Sequence, residues 1–99
     1  MERADELLSL KGMDIAMVGP ADLSISLGVP GQFDHPLLVD TVDRLIQQCN
    51  RHEVVPGIQV RTTAMARFWA DRGMRFVGAG GEHGLLLDKA KETVAQLRA

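Results

Sequence analysis

The sequence has a single cysteine, Cys49, no tyrosine, and Phe33, Phe68, Trp69 and Phe76 as its only aromatic residues. One thiol excludes an internal disulfide framework and any zinc site built mainly on thiolates. Cys49 falls inside a helical pattern, where cysteine packs as a small hydrophobe. Aromatics this sparse exclude a base-stacking platform. A formal charge of −2, with acids and bases evenly mixed, excludes the clustered basic surface of a nucleic-acid binder. No apolar run approaches the roughly 18 residues of a membrane-spanning helix, so no membrane partner is expected. The opening residues Met1-Glu2-Arg3-Ala4-Asp5-Glu6 are charged and carry no apolar signal core, which points to a cytoplasmic protein.

What is present is the composition of one globular domain: 99 residues, 45% of them hydrophobic. Residues 2–10 read as a short helix with Ala4, Leu7, Leu8 and Leu10 on one side, stopped by Gly12. Met13–Val18 is a compact apolar strand. The loop that follows, to Asp34, carries Gly19, Pro20, Gly28, Pro30 and Gly31, with one helical turn expected over Ala21–Leu27 that packs Leu23, Ile25 and Leu27 downwards. Asp34 or His35 caps a helix that Pro36 opens, since proline at the first helical position loses no needed hydrogen bond. That helix runs to about His52 and places Leu38, Val42, Leu45, Ile46 and Cys49 on one face.

Val54–Val60 reads as the second strand, with Pro56 tolerable only where no ladder donor is needed. Thr62 or Thr63 caps a helix over Ala64–Arg72, and Gly73 is its left-handed stop. Met74–Ala79 is the third strand. After Gly80 and Gly81 a last helix runs from about Glu82 to Arg98, expected to bury Leu85, Leu86, Ala90, Val94 and Leu97. Strands separated by helices must run parallel, and parallel sheets need both faces covered. Three strands leave two open edges, whereas a closed β/α barrel takes roughly 200 residues or more. The chain therefore reads as α/β: part of a barrel, or a small open sheet completed by another copy, so a homo-oligomer is expected.

All three strands end in polar or glycine-rich turns, Gly19–Ser24, Gln59–Thr63 and Gly78–His83, which share one edge of the sheet and predict a pocket there. Asp22 follows the first strand's carboxyl end. Its spacing suits a turn or cap first; the other reading is a ligand to a hard divalent cation, which takes oxygen donors and often only one or two protein carboxylates. Glu82 and His83 could serve as a second ligand or an acid/base pair, against the simpler role of an acid in a helix's first turn. Arg61 and Gln59 could face an anionic substrate tail. Gly78-Ala79-Gly80-Gly81-Glu82-His83 fails the dinucleotide fingerprint at its last position. Ser24 and Ser26 lack a nucleophile-elbow context. His35 and His52 are helix-end residues with no partner acid or nucleophile at meaningful spacing.

Val18-Gly19-Pro20-Ala21-Asp22-Leu23-Ser24, followed by Ser26-Leu27-Gly28, Pro30-Gly31 and His35-Pro36, resembles the HpcH/HpaI aldolase family. Val55-Pro56-Gly57-Ile58, Arg72-Gly73-Met74-Arg75-Phe76-Val77 and Leu85-Leu86-Leu87 agree in order, so the resemblance covers nearly all 99 residues. It implies one partial domain over 1–99, three parallel βα units similar to strands six to eight of a (β/α)8 TIM barrel. It implies a carbon-carbon lyase of class II: divalent-metal-dependent cleavage of a 4-hydroxy-2-oxo acid to pyruvate, or a similar 2-oxo acid, and an aldehyde. Mg²⁺ or Mn²⁺, with Co²⁺ as an alternative, is the implied cofactor, and a small 2-oxo acid is the implied ligand.

On the matching positions Asp22 is the family's second metal-binding carboxylate, and the Ala21 and Asp22 amides, beside Gly19, are where the pyruvate carboxylate docks. The family's metal-binding glutamate, pyruvate-binding arginine and catalytic histidine belong to the earlier half of the barrel and have no matching position here. No catalytic residue is therefore assigned within this chain, and the isolated chain is expected to be inactive. Gln59 stands where the family is usually apolar, and Gly80-Gly81-Glu82-His83 replaces a turn that more often carries aspartate or threonine; both bear on the substrate tail. A non-catalytic partial barrel that pairs its open edges with another copy is the alternative. An acyl-CoA lyase is a third reading, disfavoured by the lack of a basic CoA-binding run.

Overall fold

Three short β-branched and apolar runs pair as one parallel sheet in the computed structural model, which describes residues 3–99. The strands are β1 (Ile15–Val18), β2 (Val55–Val60) and β3 (Phe76–Ala79), in the order β1-β2-β3. Ile15 pairs with Val55 and Val18 with Ile58, while Gly57 pairs with Phe76 and Val60 with Ala79. Helices separate them: α1 (Ala4–Leu8), α2 (Pro20–Ser26), α3 (Pro36–Arg51), α4 (Thr63–Asp71) and α5 (Glu82–Arg98). The alternation of helices and parallel strands is the one expected. The sequence expectation for the first helix began at Glu2, which lies outside the described residues.

Helix starts follow local chemistry. His35 is the N-cap of α3, its Nδ1 accepting from the Leu37 N–H at 3.1 Å, with Pro36 at the first helical position. Thr62 caps α4 by accepting from Met65 N–H at 3.2 Å. Gly73 ends the same unit at φ 107°, a left-handed conformation that favours glycine. Pro56 lies in the central strand, a place proline usually avoids, yet nothing is lost. Its carbonyl accepts from Arg75, one residue ahead of β3, so the missing N–H would have faced the turn before that strand.

The core lies on one face of the sheet. Ile58 and Val60 of β2 and Val18 of β1 meet Leu38, Val42, Leu45, Ile46 and Cys49 of α3, with Trp69 of α4 and Met74 closing one end and Ala4 and Leu8 of α1 the other. Burial pushes the Cys49 thiol pKa up, so this cysteine is a packed hydrophobe, as its helical position suggests. The opposite face is bare: Met17 is 49% and Phe76 50% exposed, and Gln59 is exposed between them.

Four expectations are corrected. Leu7 and Leu10 are exposed, because α1 is only five residues long and turns just Ala4 and Leu8 towards α3. Ile25 is exposed, on the outer side of α2. The first and third strands begin two residues later than expected, since the paired register starts at Ile15 and Phe76 and only single flanking bonds join Asp14 to Val55 and Arg75 to Pro56. The largest difference concerns α5, which buries none of its residues; Leu86 is 74% and Leu97 81% exposed. α3 and α4 return to lie on the sheet, whereas α5 does not pack extensively on any element. The fold is accordingly long, 55 × 28 × 21 Å. Among the described residues no helix is long and apolar enough to cross a membrane.

Candidate functional site at the carboxyl edge of the sheet

Parallel pairing brings the three strand-end turns to one edge. One residue beyond the paired Val18 and Ile58 come Gly19 and Gln59, and Gln59 is level with Gly78. Gly19, extended at φ −98° and ψ 99°, is the N-cap of α2, and Pro20 follows as its first residue. The first bond of this helix runs from Leu23 N–H to Gly19 O at 2.9 Å, leaving the Ala21 and Asp22 N–H groups in the opening turn, where a helix has no partners of its own. Asp22 is exposed, and its carboxylate curls back towards the strand end: Oδ2 lies 3.9 Å from where a Cβ on Gly19 would stand. Among the described residues its side chain has no hydrogen bond or ion pair, although a plain turn or cap role would show one.

Ser24, which lacks a nucleophile-elbow context, has a structural part instead. It is fully buried; its Oγ donates to Ala21 O at 2.6 Å and accepts from Gly31 N–H at 3.1 Å, while its carbonyl accepts from Val29 N–H at 2.8 Å. One side chain thus ties the turn carrying Asp22 to the glycine-rich loop behind it. The spacing of Ser24 from Gly28, Pro30 and Gly31 was the available signal, since a short helix followed by such a loop needs a polar tether.

At the other two strand ends, Gln59 donates through Nε2 to Gly80 O at 2.6 Å, and Gly80 N–H donates to Val60 O at 2.7 Å. Arg61 follows β2 as an exposed residue and makes no ion pair among the described residues. Glu82 stands in the first turn of α5, where the helix dipole favours an acid. Neither Glu82 nor His83 joins Asp22: among the described residues no group of three or more His, Cys, Asp or Glu side chains is gathered to hold a metal ion.

The edge is therefore assembled but open. Gly19, Ala21, Asp22, Gln59 and Arg61 are all exposed rather than lining a cavity, because a concave mouth needs strands on both sides of these three. A groove of about 890 Å³ lies elsewhere, along the outer flank of β1, where Ala16 and Met17 face Leu23 and Leu27 of the α2 segment and Thr41 and Leu45 of α3. Chemically, the edge offers the Asp22 carboxylate, unpaired among the described residues, two backbone donors beside it and the Arg61 guanidinium at the neighbouring strand end. That set can share a cation and meet an anion, but it cannot hold a metal alone.

The chain is similar over its whole length to a 4-hydroxy-2-oxo-heptane-1,7-dioate aldolase of Escherichia coli, 29% identical over 99 residues that make up 38% of that protein. It is 34% identical over 92 residues to a hydroxypyruvate/pyruvate aldolase of Roseobacter denitrificans, covering 93% of this chain and 36% of the relative. Among solved structures, an HpcH/HpaI aldolase from Desulfitobacterium hafniense superposes with a TM-score of 0.90 at 26% identity, over 98% of this chain and 38% of that one. An HpcH/HpaI aldolase/citrate lyase family protein from Burkholderia cenocepacia superposes with a TM-score of 0.93 at 28% identity, over 99% and 38%. No family model matches the chain. The chain spans just over a third of the length of the relatives it matches, and those with solved structures are TIM-barrel-type aldolases.

Proposed function

Because the relatives and structural neighbours of this chain are members of the HpcH/HpaI aldolase family, we propose that its 99 residues form the last three βα units of a carbon-carbon lyase. The reaction is the cleavage of a 4-hydroxy-2-oxo acid to pyruvate, or a similar 2-oxo acid, and an aldehyde. The observation that carries this reading is Asp22: an exposed carboxylate without a partner among the described residues, set on the first turn past β1 and braced from behind by Ser24. In this role Asp22 supplies one oxygen to a divalent cation, and the Ala21 and Asp22 N–H groups receive the carboxylate of the 2-oxo acid. A divalent cation supplies Lewis-acid polarisation of the 2-oxo group when bound. Its other ligands, the arginine that grips pyruvate and the base that moves the proton lie outside these residues. Arg61 and Gln59 stand where the remainder of the substrate would extend.

The test is release of 2-oxo acid from a 4-hydroxy-2-oxo acid in the presence of Mg²⁺ or Mn²⁺. The 99-residue chain alone is expected to be inactive, and turnover is expected once a polypeptide supplying the relatives' remaining βα units is joined to it. In that assembly Asp22→Ala should lower activity by roughly 100-fold, the scale of losing a metal-positioning group. Turnover by the chain alone, or an assembly indifferent to Asp22→Ala, refutes the assignment.

A second reading is a non-catalytic partial barrel that pairs its open sheet edges with another copy. What favours it is the lack, among the described residues, of a complete metal-ligand group. Calorimetry separates the two: a pure module gives no heat with Mg²⁺ or Mn²⁺ plus pyruvate even when the barrel is complete.

A further inference from the structure

Helix α2 carries Asp22 on only seven residues, Pro20–Ser26, too few to hold a helix in water without outside contacts. Its N-cap, Gly19, has no side-chain hydrogen bond to give the opening turn. Pro20 and Ser24, four residues apart, are the buried residues of this helix. Asp22 stands about 200° around the axis from either of them, at 3.6 residues per turn, and is exposed. A rotation of α2 would therefore swing the carboxylate directly.

Leu23 and, just past the helix, Leu27 pack on the core, but apolar contact is non-directional and does not by itself fix rotation. Direction comes from Ser24. Among the described residues its hydroxyl makes the only side-chain hydrogen bonds of α2, donating to Ala21 O and accepting from Gly31 N–H. A serine oxygen carries one proton and two lone pairs, so a single atom joins the opening turn to the loop. The loop end of this tie is itself fixed. Gly31 sits at φ 74°, Val29 is buried and donates to Ser24 O at 2.8 Å, and Gln32 N–H donates to Val29 O at 3.0 Å.

We propose that Ser24 is a positioning residue: by tying the first turn of α2 to Gly31 it fixes the direction in which the Asp22 carboxylate and the Ala21 and Asp22 N–H groups face. That a cation uses this direction rests on the function proposed above; the direction itself is a property of this chain. Alanine at position 24 removes both bonds and leaves Gly31 N–H without its partner. Alanine is also the better helix former, so α2 should persist with its rotation released. Ile46→Val, a deletion in the buried face of α3, costs stability through packing alone and leaves the tie in place.

The test uses the assembly in which a polypeptide supplies the relatives' remaining βα units, with Mn²⁺ alone as probe. Ser24→Ala should weaken Mn²⁺ binding by roughly 10-fold, the lower end of what losing a group that orients a ligand costs, and raising Mn²⁺ should restore turnover. Ile46→Val should bind Mn²⁺ as the unmodified assembly does. Amide order parameters at Ala21 and Asp22 should fall from the rigid range near roughly 0.85 to below about 0.6 in Ser24→Ala only. Should Ser24→Ala fail to fold, Ser24→Cys answers instead: the thiol fills the site but is a weak donor and acceptor, and the same two readouts should move in the same direction by less. Unchanged affinity and unchanged order parameters in the position 24 variant overturn the proposal, as does an equal loss in Ile46→Val. If Asp22→Ala leaves Mn²⁺ binding unaltered, the metal reading fails, and the order parameters alone then decide for or against Ser24.

Discussion

The Gln59 side chain bridges the tips of two strands: its Nε2 donates to Gly80 O at 2.6 Å, and a Cβ on Gly78 would stand 1.8 Å from its Oε1. The absence of a side chain at position 78 is what lets Gln59 lie across β3 and anchor the turn into α5. One N–H of the amide is therefore engaged within the protein, and its oxygen and remaining N–H are what it can offer a ligand.

Gly78→Ala should swing the flexible Gln59 amide away and sever its bond to Gly80. The expected cost is about 1 kcal/mol, the net worth of one such hydrogen bond. Gln59→Leu should lose the same bond, and the double variant should cost scarcely more than either single one. Urea denaturation of the three variants measures this; additive losses would mean that the two residues act separately.

Trp69 is 2% exposed, packed edge-on against Phe68 with ring centroids 5.0 Å apart, and Arg72 lies over the same Phe68 ring at 5.0 Å. Arg72 is in turn held by Asp43 of α3, which pushes the guanidinium pKa up. Trp69→Ala should cost roughly 3–5 kcal/mol, a large share of the roughly 5–15 kcal/mol that folds a domain. Leu10→Ala, on an exposed residue, should stay within about 0.5 kcal/mol. Far-UV dichroism against urea is the measurement, since the variant loses the only tryptophan.

Asp5 ties α1 to the end of α3. Its carboxylate meets His52 Nε2 at 3.0 Å and accepts from Arg51 and Gln48, each at 3.3 Å. The hydrogen bond with His52 first, then the Arg51 charge and the Gln48 amide, hold its pKa below the ordinary 3.8. A carboxyl whose pKa is lower folded than unfolded binds its proton more readily in the unfolded chain. Its contribution is therefore complete above pH 3.8 and disappears as the pH falls through the lower folded value. Asp5→Asn should flatten the acid limb of a melting-temperature profile, and added salt should shrink the difference, because the group is exposed. An unchanged acid limb would show that α1 is held by Ala4 and Leu8 alone.

Much of the fold was legible because its signals are local. Pro36 and the polar residue before it set the start of α3, and Thr62 and Gly73 bracket α4, since caps and left-handed stops are decided within a few residues of chain. The three apolar runs and the turns after them were enough for a parallel sheet. Ser24 was harder to read: a hydroxyl that tethers Gly31 looks like any serine until the loop folds back on it. The pocket expected at the strand ends was not formed, because concavity belongs to a ring of strands and three of them make only an open edge.

By itself the sequence determined the order of elements, the parallel pairing it forces, and the placing of Asp22 one turn past β1, all consequences of short-range periodicity and of where glycine and proline break it. Tertiary structure alone decided that Asp22 has no partner among the described residues, that Gln59 is spent on Gly80, and that α5 leaves the sheet with its leucines bare. An apolar stripe specifies that a helix must be covered; which surface covers it depends on where the rest of the sheet ends.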